Sequence, residues 1–581
     1  MRFPQFRWRA LALYAALLAL IATLYWPITR GGFVWDDTSS LHDQAQLRTD
    51  DWLSFAFHGF GSWDNYFRPL PALLFAMQVR AFDAAPQPMH AISLSLHLAN
   101  TLLVGMLAWR VASLRRVALT GLAMALYGLH PALIEPVDWI GCQVELVLVF
   151  FTLLGLLHNL LVATVWARTF AVGACFFAAA CTKESAAVFP LALVVFDLMS
   201  AHQDNLAQRI RATWRRQRLI YAGVLCAGFA YLALRYSALG HLLAPHGMEP
   251  LLLLERVQLV CLTYLEYWRL VVWPMSSIGP IHPADTGRLA DVSLLSLAVD
   301  STAIAILATG LLAFRKNKPA GYLVVAVTVA LLPVLHAIPV GINESLYHDR
   351  YAATAVALAC TLLPNVFAPL LQIRRGVVAT LCLACSVWLG LAMLNIRATV
   401  PLWADELALW QWAQREHPDS AFVESHLLST YLLRNDYQHA RVLADKLVAS
   451  PRPNPIALLN AAHLAVVEGD ATRAAHALDR LKQLAILGYD VGMLHGYLFA
   501  QGELSELEGN PADAEDAYRE AIKLDTRDPV PQITLAMLLA RQGRAEEAVT
   551  LANVALALFA PDERERRRRE FATALSGTAT P

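Results

Sequence analysis

The residues with the greatest chemical capacity stand in a short run, Phe33-Val34-Trp35-Asp36-Asp37. Neighbouring side chains point in different directions on any regular backbone. The two carboxylates therefore read as one reactive group beside one orienting group, not as a pair sharing a proton. Asp37, followed by Thr38-Ser39-Ser40, is also placed to cap a short helix. Arg68, Glu135, Asp138, Lys183, Glu184, Glu344, Asp349 and Arg350 stand at the borders of apolar stretches. Ionisable groups there are expensive to keep, so a set gathered on one side marks a functional site; the plainer alternative is that each solvates its own loop. His42, His58, His90, His97 and His130 lack the spacing of a zinc site. His90 and His97, seven apart on one helix face, are expected to pack helices.

The elements that must position these residues are apolar. The chain is 57% hydrophobic and 16% charged, with net charge −1 and mean hydropathy +0.44, which excludes an ordinary soluble enzyme. The absence of a basic excess argues against a nucleic-acid partner. The eight cysteines lie mostly in apolar runs and suggest no disulfide framework. Of the 185 residues from 397 onward 45 are charged, against 48 of the preceding 396. The expected fold is all-α: a polytopic membrane part over 1–396 and a water-soluble part over 397–562, with a polar basic tail over 563–581.

Stretches of the ~20 apolar residues that a span needs cover 10–28, 90–112, 117–134, 143–163, 168–182, 185–200, 218–239, 292–314, 319–339, 350–371 and 376–396. The first lacks a small-residue cleavage site and reads as an anchor. With these eleven spans, and with 69–84 and 250–273 lying along the outer face, Arg115-Arg116, Arg168, Arg209–Arg218, Arg315-Lys316-Lys318 and Arg374-Arg375 all fall inside, as the positive-inside rule requires. Segments 30–89, 135–142, 183–184, 240–291 and 340–349 then lie outside, together with the soluble third.

Within that third, Asn435–Ala440, Gly469–Ala474, Gly509–Ala514 and Gly543–Ala548 align, their starts 34, 40 and 34 residues apart. These segments resemble tetratricopeptide repeats, helix pairs that stack into an α-solenoid whose concave face binds peptide or protein. A rigid stalk or dimer contact is the alternative. Arg564–Arg569 is mixed with Glu565 and Glu570 and reads as a solvated helix end.

The motifs Phe33-Val34-Trp35-Asp36-Asp37, Tyr66-Phe67-Arg68-Pro69-Leu70, His90-Ala91-Ile92-Ser93-Leu94-Ser95-Leu96-His97, Leu129-His130-Pro131-Ala132-Leu133-Ile134-Glu135-Pro136-Val137-Asp138-Trp139 and Thr182-Lys183-Glu184-Ser185 follow one another along the chain. In type and order they resemble landmarks of the transmembrane and tetratricopeptide repeat-containing O-mannosyltransferases and their bacterial relatives, within the GT-C glycosyltransferases. The resemblance implies inverting transfer of a sugar from a polyprenyl-phosphate donor on the non-cytoplasmic side, with Asp36 or Asp37 as base, Asp36 favoured, and with no metal or other cofactor, a divalent ion being the alternative. It gives the leaving phosphate Arg350, then Lys183 and Arg68. Glu135, Asp138 and Glu184 become sugar or acceptor contacts, with Glu135 alternatively pairing with Lys183 or Arg350. Two positions depart from the family pattern: Cys142-Gln143 stand where a basic residue is common, and Tyr347-His348-Asp349-Arg350-Tyr351 runs into Ala352-Ala353-Thr354.

The expected partners are the lipid-linked donor, an acceptor protein held by the repeats, and membrane lipids, in a bacterial inner membrane with the repeats in the periplasm. A polysaccharide or lipid acceptor, a non-catalytic membrane-anchored scaffold and a transporter are the alternatives. Reporter fusions at Asn205, Asn317 and Val400 are expected to read cytoplasmic, cytoplasmic and external; an external reading at Asn317 overturns the charge argument.

Overall fold

The computed structural model describes residues 5–44, 47–48, 52–57, 66–112, 116–201, 203, 205–242, 251–276, 278–283, 292–337, 345–372, 374–488 and 490–576, the side chains of 5–7, 42 and 562 apart. His58 and Glu344 lie outside this set, as does the His42 side chain. The fold is 83% helical, and no strand occurs among the described residues. It divides into two compact units: residues 1–37, 53–75 and 85–405, and residues 38–52, 76–84 and 406–581.

Among the described residues of the first unit, seven helices are long and apolar enough to cross a membrane: Trp8–Arg30, Pro86–Val111, Ile140–Leu161, Leu206–Leu239, Leu294–Arg315, Asp349–Leu370 and Arg375–Trp403. An eighth is possible by joining Arg116–Gly128 to Pro131–Asp138, which meet at a 53° bend. The expected spans at 168–182, 185–200 and 319–339 are shorter helices, Val165–Ala180, Phe189–Met199 and Pro319–Leu331. At 1.5 Å per residue they extend about 24, 17 and 20 Å, against a hydrocarbon layer of ~30 Å. Two of the interruptions fall at prolines: Pro190 opens its helix just after the 3-10 turn Glu184–Val188, and Pro333 lies within the 3-10 turn Leu332–Val334. The segments expected to lie flat form Pro69–Phe82 and Leu253–Val272. Arg375–Trp403 runs beyond the expected boundary at 396, with Thr399, Val400 and Trp403 buried.

Pro86–Val111, Ile140–Leu161 and Asp349–Leu370 are the most buried of these helices, whereas Leu294–Arg315 and Arg375–Trp403 keep their apolar side chains largely exposed. An exposed apolar helix surface of that extent suits lipid. Inside the unit, polar side chains serve backbone groups that the bends set free. His97 bonds the Gly128 carbonyl at the bend (3.0 Å), His130 the Val271 carbonyl (3.0 Å) and His90 the Gly32 carbonyl (3.1 Å). Arg209, which reads in the sequence as one of a basic loop run, is buried and caps the end of Leu294–Arg315, donating to the carbonyls of Phe314 and Arg315 at 2.9 Å each.

The second unit is a run of helix hairpins. Ala421–Leu433 pairs with Tyr437–Ala449, Pro455–Val467 with Ala471–Lys482, Val491–Leu507 with Pro511–Leu524, and Pro529–Arg541 with Ala545–Leu558. The turn of each hairpin contains one left-handed residue: Asn435, Gly469, Gly509 or Gly543, with φ between 57° and 80°. These are the first residues of the four aligned segments, and Gly and Asn adopt this conformation most readily. The last residues, Ala440, Ala474, Ala514 and Ala548, are 0% exposed, so a small side chain marks each close helix contact. The extra six residues between the second and third segments go into the turn Ala485–Gly488 and a longer first helix, Val491–Leu507. Residues 563–576 are no tail: Pro561–Ser576 is a helix whose Phe571 enters the core with Tyr518, Ile533 and Leu539. Its arginines are matched at helical spacing, Arg567 pairing with Glu563 and Glu570.

With residues 406–576 expressed alone, a helical circular dichroism spectrum is expected. Leu539→Ala should lower the unfolding free energy by about 2–5 kcal/mol, while Leu433→Ala, at a position 68% exposed, should change it by less than about 0.5 kcal/mol. Equal effects in denaturant titrations would contradict this packing.

Candidate functional site

Beyond the 3-10 turn Trp26–Arg30 the chain enters the aspartate motif with Trp35 at φ 56°, a left-handed conformation that costs a bulky residue strain. The two carboxylates occupy opposite environments. Asp36 is exposed, while Asp37 is 1% exposed. Asp37 accepts from the Gly141 N–H (2.8 Å) and more loosely from the Val34 N–H (3.5 Å). Its oxygens are thus directed to another loop, not to the cap of a following helix. A Cβ at Gly141 would stand 3.1 Å from both Asp37 Oδ1 and Trp139 Nε1, so a glycine gives this contact room. Burial pushes the Asp37 carboxyl up to about 8, against the two backbone N–H bonds, and the neighbouring Asp36 charge adds to the rise. Asp36 is also raised by the protein packed against it, with the Arg350 charge pulling it back.

Arg350 is held by Glu135, which accepts from its backbone N–H (2.8 Å) and pairs with its guanidinium through the second oxygen. Of the two roles open to Glu135, orienting Arg350 is the one its contacts serve. The guanidinium lies 5.1 Å from the Trp139 ring centre, 5.7 Å from that of Trp35 and 4.7 Å from that of Tyr351, within cation–π range. Trp35 and Trp139 stack at 4.8 Å with 6° between their planes. Lys183 sits 4.2 Å from the centre of the Tyr351 ring and pairs with Glu145. Asp349 accepts from His282 Nε2 (2.9 Å) and the Gly279 N–H (3.0 Å), and His282 stacks on Tyr347 at 3.9 Å. These contacts tie residues 278–283 to the segment carrying Arg350.

A second charged cluster adjoins Lys183. Glu184 accepts from Arg68 Nη2 (2.8 Å) and Nε (3.1 Å) through one oxygen and from Arg235 Nη1 (3.2 Å) through the other. Burial alone would raise the Glu184 carboxyl, but Arg68 and Arg235 hold it below the usual range. Arg68 lies 4.3 Å from the Tyr66 ring centre and within electrostatic reach of Tyr351. Asp138 is 0% exposed and enclosed near Tyr25, its oxygens accepting no hydrogen bond among the described residues.

The structure thus brings Asp36, Asp37, Glu135, Arg350 and Lys183 around one aromatic group, joins Arg68 to Glu184 beside it, and buries Asp138. Glu145, Arg235, His282 and the ring of Tyr351 escaped the sequence reading. Glu145 and Arg235 carried a signal, since each is a charge inside an apolar stretch; nothing in the sequence distinguished His282. Among the described residues no three His, Cys, Asp or Glu side chains are arranged to hold a metal ion. The chain matches no protein-family model and no curated protein.

The high Asp37 value has a definite sign in stability. An unfolded aspartate loses its proton near pH 4, whereas folded Asp37 keeps it to about 8, so the folded state binds more protons between these values and loses stability as pH rises. Asp37→Asn removes that loss. Its melting temperature should climb relative to wild type from pH 5 to pH 8; a constant difference across that range contradicts the assignment.

Proposed function

We propose that this chain is a multi-spanning glycosyltransferase that uses a polyprenyl-phosphate-linked sugar, resembling the GT-C O-mannosyltransferases and working on the outer side of a bacterial inner membrane. The observation that carries the reading is an exposed carboxylate, Asp36, within electrostatic reach of the anchored cation Arg350, which lies against the Trp35 and Trp139 rings. In the proposed reaction Asp36 takes the proton of an acceptor hydroxyl as its oxygen attacks the anomeric carbon. The new C–O bond forms on the face opposite the departing phosphate, giving inversion, and the electron pair of the broken C–O bond leaves with the phosphate. Proton transfer of this kind is worth roughly 10²–10⁴-fold in rate. Fixed positive charge in a site shielded from water meets the leaving group, and Arg350, Lys183 and Arg68 supply it. Asp37 orients the motif through Gly141, and Glu135 orients Arg350.

The seven long apolar helices support a membrane setting. The hairpins with Gly or Asn at their turns support tetratricopeptide repeats, proposed to lie in the periplasm and to hold an acceptor polypeptide. Eleven crossings remain the topology that best serves the loop charges; in it the three short helices cross with their flanking turns. Asp138, enclosed in the protein, takes no part in substrate contact here.

Cells carrying Asp36→Asn should lose glycoforms of periplasmic or surface proteins by intact-mass analysis, with residual transfer reduced at least about 100-fold. Asp37→Asn should retain more transfer than Asp36→Asn. Glycoforms that persist unchanged in a clean deletion strain would end the protein-glycosylation reading.

A further inference from the structure

The helix Leu206–Leu239 is longer than a bilayer needs. Its 34 residues extend about 51 Å at 1.5 Å per residue, against a hydrocarbon layer of ~30 Å. Residues 219–239 fill that layer by themselves, so 206–218 project beyond it. The neighbouring helix Val165–Ala180 runs parallel to it, since a Cβ at Gly223 would meet Thr169 and one at Gly228 would meet Phe176. Val165 therefore starts level with residues 218–219, which sets the edge of the layer at the same place.

Two faces of the long helix differ. Arg209, Thr213, Gln217, Ile220 and Val224, at steps of four, four, three and four, are buried. Arg209 pins the projecting end by donating to the Phe314 and Arg315 carbonyls and to Asn317 Oδ1, at 2.9 Å each. On the opposite face Arg211, Arg215, Arg218, Ala222, Leu225 and Phe229 follow at steps of four, three, four, three and four, and all are exposed. Residues so spaced form one stripe along a helix. Its three arginines make no hydrogen bond or ion pair among the described residues. Asp197 is buried against Asn159, Gln217 and Tyr221 and leaves them uncompensated. Trp214, exposed beside the stripe, stacks on Tyr221, and Trp166 is exposed at the start of the neighbouring helix. Exposed tryptophans suit the headgroup level of a bilayer.

We infer that this stripe binds an anionic phospholipid of the cytoplasmic leaflet, its phosphate on Arg211, Arg215 and Arg218 and an acyl chain along Ala222, Leu225 and Phe229. The inference needs the membrane setting and the charge-based topology, and it stands apart from the transferase reading. Along one face the helix changes from cationic to apolar at the depth where a phospholipid changes from headgroup to chain. Guanidinium groups offer phosphate oxygens parallel N–H donors. A soluble acidic partner would reach the arginines but not the apolar half, which lies within the hydrocarbon. With Arg209 held by helix-end carbonyls, the three cations stand on a fixed element.

The test titrates full-length protein in detergent with phosphatidylglycerol and counts bound lipid by native mass spectrometry. Wild type should bind it at least about tenfold more tightly than phosphatidylcholine, since each basic residue near an anionic headgroup is worth roughly fivefold. Arg211→Gln, Arg215→Gln and Arg218→Gln together should abolish that preference, whereas Arg211→Lys, Arg215→Lys and Arg218→Lys together should keep most of it. Arg315→Gln, Lys316→Gln and Lys318→Gln together remove as much charge from another basic turn and should change the preference less than about threefold. Equal loss in the two glutamine triples would overturn the site in favour of a diffuse field. Arg215→Gln alone should weaken binding about threefold or more, and it carries the test if the triple variant fails to fold. Glycerol 3-phosphate should compete weakly; competition as strong as that of the lipid would remove the chain contact. A wild-type dimer mass that the glutamine triple loses would reassign the stripe to a contact between copies.

Discussion

Glu135 receives two hydrogen bonds from one residue 215 positions away, and the arrangement of the site depends on that contact. Its carboxylate takes the backbone N–H of Arg350 with one oxygen and the guanidinium with the other. The pair fixes both where the chain re-enters the helical unit before Ala353–Leu370 and where the side-chain charge stands. Breaking such a buried pair by removing one partner costs about 3–5 kcal/mol, because the other charge is left uncompensated. The guanidinium, once fixed, lies near the stacked Trp35 and Trp139. The stack joins the aspartate motif to the loop over 134–142, which Asp37 also grips through Gly141.

The same rule governs charge elsewhere in the helical unit. Asp197, buried, accepts from Asn159, Gln217 and Tyr221 at 2.6–2.8 Å. Arg209 is taken up by helix-end carbonyls, and Lys183 by Glu145. Polar groups with several partners are cheap to bury and rigid once buried. In the Arg68–Glu184–Arg235 cluster one carboxylate bridges two guanidinium groups and is more open to the surface than either of them.

The apolar helices and the hairpin register were legible in the sequence because both are periodic: long apolar runs announce the first, and a small residue after a Gly- or Asn-led turn announces the second. The carboxylates and cations could be named one by one, since each interrupts an apolar stretch. Their pairing could not. Choosing Glu145 for Lys183 and Glu135 for Arg350 is a matter of helix rotation and loop path, which residue type does not encode. Arg209 shows the reverse error, a buried helix cap that reads as one more loop charge. Three expected spans came out short because prolines and tight turns cut helices inside stretches that hydropathy alone joins together.

The left-handed residues separate structural demand from functional demand. At the four hairpin turns a positive φ is needed only to reverse the chain, and the positions carry Gly three times and Asn once. Trp35 adopts the same region at φ 56° with a large side chain, where an L-residue is disfavoured by roughly 1–2 kcal/mol. A glycine there would relieve the backbone but remove the ring that stacks on Trp139 and faces Arg350. The bonds from Asp37 to Val34 and Gly141 hold the turn on either side of it. The strained backbone places the indole and opens Asp36 at once, which is a reason for a tryptophan to occupy a conformation that glycine would take more easily.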